Sequence, residues 1–148
     1  MHETQNTSVN QAVVLLSGGM DSTTLLYYVK RTLNVATIHA LSFDYGQRHA
    51  REIEAARWQA RAAGVTEHCV MDVSLLGGVA FARSVLTDRE ADLPNLDDMD
   101  EAQRSQPPTY VPHRNLVLLS LAAAYAEAHG IADVFYGAQA QDRYGYWD

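Results

Sequence analysis

Ser17-Gly18-Gly19-Met20-Asp21-Ser22, near the amino terminus, has the residue types and spacing to hold an anion. Its hydroxyls and backbone amides can donate to oxygens. Gly18-Gly19 allows positive φ and lets a ligand approach the main chain with no Cβ in the way. Asp21, Ser22 and Thr23 are types that open helices, because their side-chain oxygens accept from backbone N–H groups at a helix start. Such a turn aims free amides and the positive end of a helix dipole at one point. The chemistry this favours is grip on a phosphate or pyrophosphate. No lysine follows the glycines, so this is not the Gly-x4-Gly-Lys-Ser/Thr loop, and it is not Gly-x-Gly-x-x-Gly, so a dinucleotide is not indicated. The plainer alternative is a βα turn that binds nothing. The full string directly behind an apolar strand weighs against it.

The elements that must position this turn alternate between strands and helices. Ala12–Leu16 reads as a buried strand, and Leu25, Leu26, Val29 and Leu33 recur at helical spacing. Val35–Phe43 gives a second strand, ending in Asp44-Tyr45-Gly46-Gln47-Arg48-His49. From Gln47 a helix is expected, with Ile53, Ala56, Trp58, Ala60 and Ala63 inward, Arg51, Glu52, Glu54, Arg57, Gln59 and Arg61 outward, and a stop at Gly64. Glu67–Val73 gives a third strand, in which Cys69 is expected to act as a small buried hydrophobe. Pro107–Pro112 is extended, and His113-Arg114-Asn115 opens a helix with a small-residue face of Leu116, Leu119, Ser120, Ala123, Ala124 and Ala126, ended by Gly130. Asp133–Gly137 gives a fourth strand, followed by the turn Gly137-Ala138-Gln139. This order predicts an α/β fold: an open, mainly parallel sheet with helices on both faces, Rossmann-like and three-layered. Ligands of such sheets bind at the carboxyl ends of the strands.

Composition narrows the class. The 148 residues suit one domain, here residues 12–148, behind an expected flexible polar tail over 1–11. Residues 84–106 form an acidic stretch poor in large apolar residues, expected to be a mobile insertion. The formal charge of −7 argues against a broad nucleic-acid or anionic-membrane surface, so no direct nucleic-acid contact is expected. No apolar run is long enough to cross a bilayer, and residues 1–10 lack the apolar core of a signal peptide. The single Cys69 cannot form an internal disulfide, which fits a reducing cytoplasm. An unpaired outer strand and exposed apolar helix faces would favour a homo-oligomer.

Ser17-Gly18-Gly19-Met20-Asp21-Ser22 is similar to the pyrophosphate-loop signature of the ATP pyrophosphatases, whose fold is adenine nucleotide alpha hydrolase-like. With Phe43–His49, Val111-Pro112-His113-Arg114-Asn115 and Gly137-Ala138 followed by Asp142 and Tyr144-Gly145-Tyr146, the chain more narrowly resembles the 7-cyano-7-deazaguanine synthase family of queuosine biosynthesis. The resemblance implies an ATP-dependent carbon–nitrogen ligase acting on 7-carboxy-7-deazaguanine and ammonia through an adenylated carboxylate. It implies that Leu16, Ser17, Gly18, Gly19, Met20, Asp21, Ser22, Thr23, Thr24, Leu25 and Leu26 form the ATP-binding segment, with Ser17, Asp21, Ser22 and Arg114 in the catalytic set. Tyr45, Gln47, Arg48, His49, Arg114, Asn115 and Gly137 would border the substrate. Mg²⁺ is expected to bridge the phosphates, with Asp21 the nearest carboxylate and a plain helix-cap role its alternative. Arg114 has two readings, an anion contact or a salt bridge to the acidic insertion. His49 as a base competes with a surface histidine.

Two departures stand out. His113 occupies the position where the family usually has the glycine of Val-Pro-Gly-Arg-Asn. The family's four zinc-binding cysteines, expected towards the carboxyl end of a longer chain, have no counterpart here, so a truncated or reduced member is expected. Two other readings stay open: another pyrophosphate-loop adenylating enzyme, amide-forming or tRNA-thiolating, or an inactive nucleotide-binding module.

Overall fold

A computed structural model describes residues 9–45, 50–75 and 113–138. The elements in chain order are β1 (Gln11–Leu15), α1 (Met20–Arg31), β2 (Thr37–Asp44), α2 (Ala50–Ala63), β3 (Glu67–Asp72), α3 (Arg114–Ala128) and β4 (Val134–Phe135). The strands form one sheet in the order β3-β2-β1-β4, and every pairing is parallel. β1 therefore lies inside the sheet. A parallel strand covered on both faces must be apolar throughout rather than alternating, and Ala12, Val13, Val14, Leu15 and Leu16 are all buried.

The two faces of β1 feed two cores. Ala12, Val14 and Leu16 pack with Leu26 and Val29 of α1, Ile38 and Ala40 of β2, and Ala56 and Ala60 of α2. Val13 and Leu15 pack with Leu41 and Phe43 of β2, Ala122 and Ala126 of α3, and Ile131. Helices thus cover both faces, as the expected three-layer arrangement requires. After β1 the chain steps to β2 and β3 on one side, then crosses to β4 on the other. The switch falls between β1 and β4, and the crevice above it is where open α/β sheets bind ligands.

Several details differ from the sequence reading. Gln11 pairs with Thr37 inside the β1–β2 ladder, so the strand begins one residue before the expected domain start. Trp58 points outward at 60% exposure, while Gln59 turns inward and accepts a hydrogen bond from the Tyr27 hydroxyl at 3.4 Å. The buried face of α3 is Asn115, Ala122 and Ala126, with Leu118, Leu119, Leu121 and Tyr125 packed beside them. Leu116, Ser120, Ala123 and Ala124 are exposed. α3 is apolar nearly all round, so sequence spacing has little contrast with which to choose a face. Cys69 is only partly buried. Gly64 and Gly130 end α2 and α3 with φ of +63° and +67°, as expected of C-terminal glycines. The expected acidic insertion 84–106 lies outside the described residues, as does most of the expected tail.

Candidate functional site

The loop from Ser17 to Ser22 leaves the carboxyl end of β1 at the switch point. Leu16 N–H still donates to Leu41 O at 2.7 Å, so the strand is anchored up to the residue before the turn. Gly18 then takes φ of +88°, a conformation that favours glycine. Helix α1 starts at Met20 with Gly19 as its N-cap, and no side chain caps it. The expected capping by Asp21, Ser22 or Thr23 is therefore corrected: the helix begins earlier, and these residues lie inside its first turn. Its first intrahelical bond runs from Thr23 N–H to Gly19 O at 3.1 Å. The amides of Met20, Asp21 and Ser22 precede it, at the positive end of the dipole.

The two serines fasten the loop. The Ser22 hydroxyl donates to Gly19 O at 3.1 Å and accepts the Ser17 amide at 3.2 Å. The Ser17 and Ser22 hydroxyl oxygens are 3.0 Å apart, and Ser17 Oγ accepts the Gly19 amide at 3.3 Å. With the Ser22 proton committed to Gly19, the Ser17 hydroxyl donates to Ser22. Ser22 is buried, whereas Ser17, Gly19, Met20 and Asp21 are exposed, so the bend is open to a ligand from outside. Thr23 is partly exposed and Thr24 exposed. Leu16 and Leu26 lie in the core beneath the loop, with Leu25 packed against it. Their side chains support the loop from the core side.

Gly137, just past β4, comes to the same place. A Cβ there would lie 3.6 Å from Asp21 C and O and from Ser22 N. The backbone after β4 thus runs against the first turn of α1. Because α3 precedes β4, it runs from the carboxyl edge of the sheet back to the amino edge, which puts Arg114 and Asn115 on the edge that carries the loop. Arg114 Nε donates to Asn115 Oδ1 at 3.4 Å, and Asn115 is buried. Tyr45 packs against the core under α3. Gln47, Arg48 and His49 lie outside the described residues.

The donor set suits a phosphate: exposed hydroxyl and amide groups, a helix start, and one exposed carboxylate, Asp21. It also suits Mg²⁺, a hard cation that takes oxygen ligands. Among the described residues no three His, Cys, Asp or Glu side chains gather to hold a metal, so such an ion would rely on phosphate oxygens and water as well as Asp21.

Two groups escaped the sequence reading. Buried Ser42 of β2 donates to Leu16 O at 2.5 Å and lies 2.8 Å from His68 Nε2. Burial and the nearby Arg57 and Arg61 hold the His68 imidazole below its ordinary pKa. The only signal was a serine and a histidine in strands that otherwise read as apolar. At the amino edge, away from the loop, His39 Nδ1 lies 2.9 Å from the Tyr125 hydroxyl and 3.5 Å from Glu67 Oε2, and His129 stacks on Tyr125 at 3.9 Å. Burial, with the Glu67 carboxylate nearby, raises the Tyr125 pKa.

A parallel sheet in this order, layered by helices on both faces, with a glycine loop at its switch point, defines an α/β, Rossmann-like fold of the adenine nucleotide alpha hydrolase-like class. The fold is similar to that of the NH3-dependent NAD synthetase from Campylobacter jejuni, solved in complex with nitrate ion, at a TM-score of 0.58 over 95% of this chain and 54% of that one, with 17% sequence identity. Within that class the chain belongs to the QueC family: the family model described as "Queuosine biosynthesis protein QueC" matches residues 11–148. Similar proteins named 7-cyano-7-deazaguanine synthase come from Thermosynechococcus vestitus, 48% identical over 95% of this chain and 58% of its own length, and Trichodesmium erythraeum, 44% identical over 93% and 60%. Another, from Anaeromyxobacter, is 48% identical over 93% and 57%. The chain thus spans between 57% and 60% of the length of these relatives.

Proposed function

We propose that this chain forms the ATP-binding part of a 7-cyano-7-deazaguanine synthase, which joins ammonia to 7-carboxy-7-deazaguanine at the expense of ATP. The observation that carries the reading is the open Ser17–Ser22 bend at the switch point, with Gly137 laid against its helix start. Family membership supports the acceptor.

Adenylating a carboxylate requires two anions held together, an in-line nucleophile and neutralised charge on the departing pyrophosphate. The exposed Ser17 hydroxyl, turning its proton from Ser22 to the ligand, and the amides of Gly18, Met20, Asp21 and Ser22 would bind pyrophosphate oxygens, while the Ser22 hydroxyl keeps the loop fastened to Gly19. Asp21 would hold Mg²⁺ beside them, and that ion would supply charge neutralisation. Arg114, a planar fork on the same edge, would bind an anionic oxygen of phosphate or acceptor, with Asn115 holding its Nε. Tyr45, Gln47, Arg48 and His49 would border the acceptor. We place the protein in the cytoplasm, as a homo-oligomer working on small molecules without direct nucleic-acid contact. Among the described residues no helix is long and apolar enough to cross a membrane.

The test is pyrophosphate release from Mg²⁺–ATP by the 148-residue chain, with ammonia and a panel of carboxylate acceptors. Release should require 7-carboxy-7-deazaguanine and fall by at least about a hundredfold in Asp21→Ala. Release that ignores this acceptor, or that survives Asp21→Ala unchanged, would overturn the proposal.

A further inference from the structure

Ser42 is 1% exposed, and its hydroxyl has one proton and two plausible partners. Leu16 O, at 2.5 Å, can only accept. The proton therefore goes to Leu16, and His68 Nε2, at 2.8 Å, must carry its own hydrogen and donate it to Ser42 Oγ. This fixes the imidazole tautomer. It also excludes a serine nucleophile with a histidine base, because the serine proton points away from the ring.

The acceptor is not an ordinary strand carbonyl. Leu16 O belongs to the peptide that launches the anion loop, and the N–H of that same rigid plane is the Ser17 amide, bonded to Ser22 Oγ at 3.2 Å. The Ser22 hydroxyl passes on to Gly19 O at 3.1 Å. The bonds run in one sense: His68 to Ser42, Ser42 to Leu16, across the planar peptide to Ser22, and on to Gly19. Chains with one donor direction polarise one another. The plane is pinned from β2 on its carbonyl side and from α1 on its amide side, so its tilt sets where Gly18 and Gly19 point.

We propose that Ser42 and His68 are positioning residues for the anion loop, holding the Leu16–Ser17 peptide in the orientation that presents the loop's donors to the leaving pyrophosphate. The catalytic half of this statement rests on the ATP reading above; the structural half does not. The charged groups bearing on His68 are Arg57 and Arg61 of α2, and they favour its neutral form. The neutral ring and the imidazolium both keep hydrogen on Nε2, so the network survives moderate acid.

Two readouts separate the halves. In Ser42→Ala, hydrogen exchange at the Ser17 and Gly19 amides should quicken about tenfold, while Val13 and Val14 stay within about twofold, and Ser42→Thr should restore the slow rate. In the pyrophosphate assay, KM for Mg²⁺–ATP should rise about tenfold in Ser42→Ala with KM for the acceptor within about twofold. Mere loss of folded protein would lower kcat and leave both KM values alone. His68→Phe should behave like Ser42→Ala, and His68→Gln, which keeps a side-chain N–H, like wild type. The histidine is only half-buried, so this pair decides the matter should Ser42→Ala fail to fold. Unchanged loop exchange in Ser42→Ala or His68→Phe overturns the proposal. A wild type that releases no pyrophosphate overturns the ATP reading instead, and the exchange comparison still decides the network.

Discussion

A Cβ added at Gly18 would lie 2.3 Å from Glu52 O and 2.9 Å from Ala56 N, both main-chain atoms of α2. The loop is therefore seated against a helix from a different crossover, and α2 comes this near because it presents small Ala56 and Ala60 to the core. Gly18→Ala meets two penalties at once, a left-handed φ of +88° and a backbone collision that no rotamer relieves. Together these should cost about 2–4 kcal/mol. At Gly19, by contrast, φ is −75° and the nearest atom to a new Cβ is Ser17 Oγ at 3.4 Å. Gly19→Ala should stay within about 1 kcal/mol. Urea unfolding of the two variants checks this, and equal costs would show that the loop does not bear on α2.

Among the elements, α3 carries the clearest local conflict. Its N-cap, His113, sits at φ of +50° with no side-chain cap bond, where most side chains pay a steric cost. The glycine usual in the family pattern at this position fits that geometry. His113→Gly relieves the left-handed strain but loosens the unfolded chain, so the net gain should be small, about 0.5 kcal/mol of added stability. Thermal melting of the variant measures it, and a loss above about 1 kcal/mol would mean that the imidazole makes a contact outweighing the strain. The same helix marks how far the sequence could be read. β1 was legible because five consecutive buried positions leave one pattern, and Gly64 and Gly130 marked helix ends through the φ they adopt. The α3 face was not legible, because Leu116 and Leu119 look alike in sequence and only packing on Leu41 and Phe43 chooses between them. Of the candidate site, the loop and Gly137 could be found from glycine spacing. The Ser42–Leu16 bond could not, because it depends on which residue β2 places opposite the end of β1, a fact of register.

Over the whole molecule, the sheet ties the stability of all three layers to what happens at His68, because β3 carries that residue and pairs with β2 from His39–Glu67 to Asp44–Asp72. The folded pKa of His68 is lowered from 6.5, first by burial and then by Arg57 and Arg61. As pH falls, the unfolded chain takes up this proton before the folded one does, so unfolding is favoured. The stability attached to the neutral ring is whole above the unfolded value, drains as pH passes through 6.5 towards the folded value, and is gone below it. The effect is modest, since the side chain is only partly buried. Carboxylates also titrate as the chain nears its pI of about 5.2, so the raw pH profile mixes many groups. Comparison with His68→Gln, which cannot titrate, isolates the histidine. The Tm advantage of wild type over His68→Gln should be greatest near pH 7 and shrink steadily towards about pH 5. Part of the shift is Coulombic, from Arg57 and Arg61, so about 1 M salt should weaken the shrinkage without abolishing it, because desolvation is not screened. A gap that stays constant across this range would mean that His68 has the same proton affinity in the folded and unfolded chain, and that α2 does not act on it.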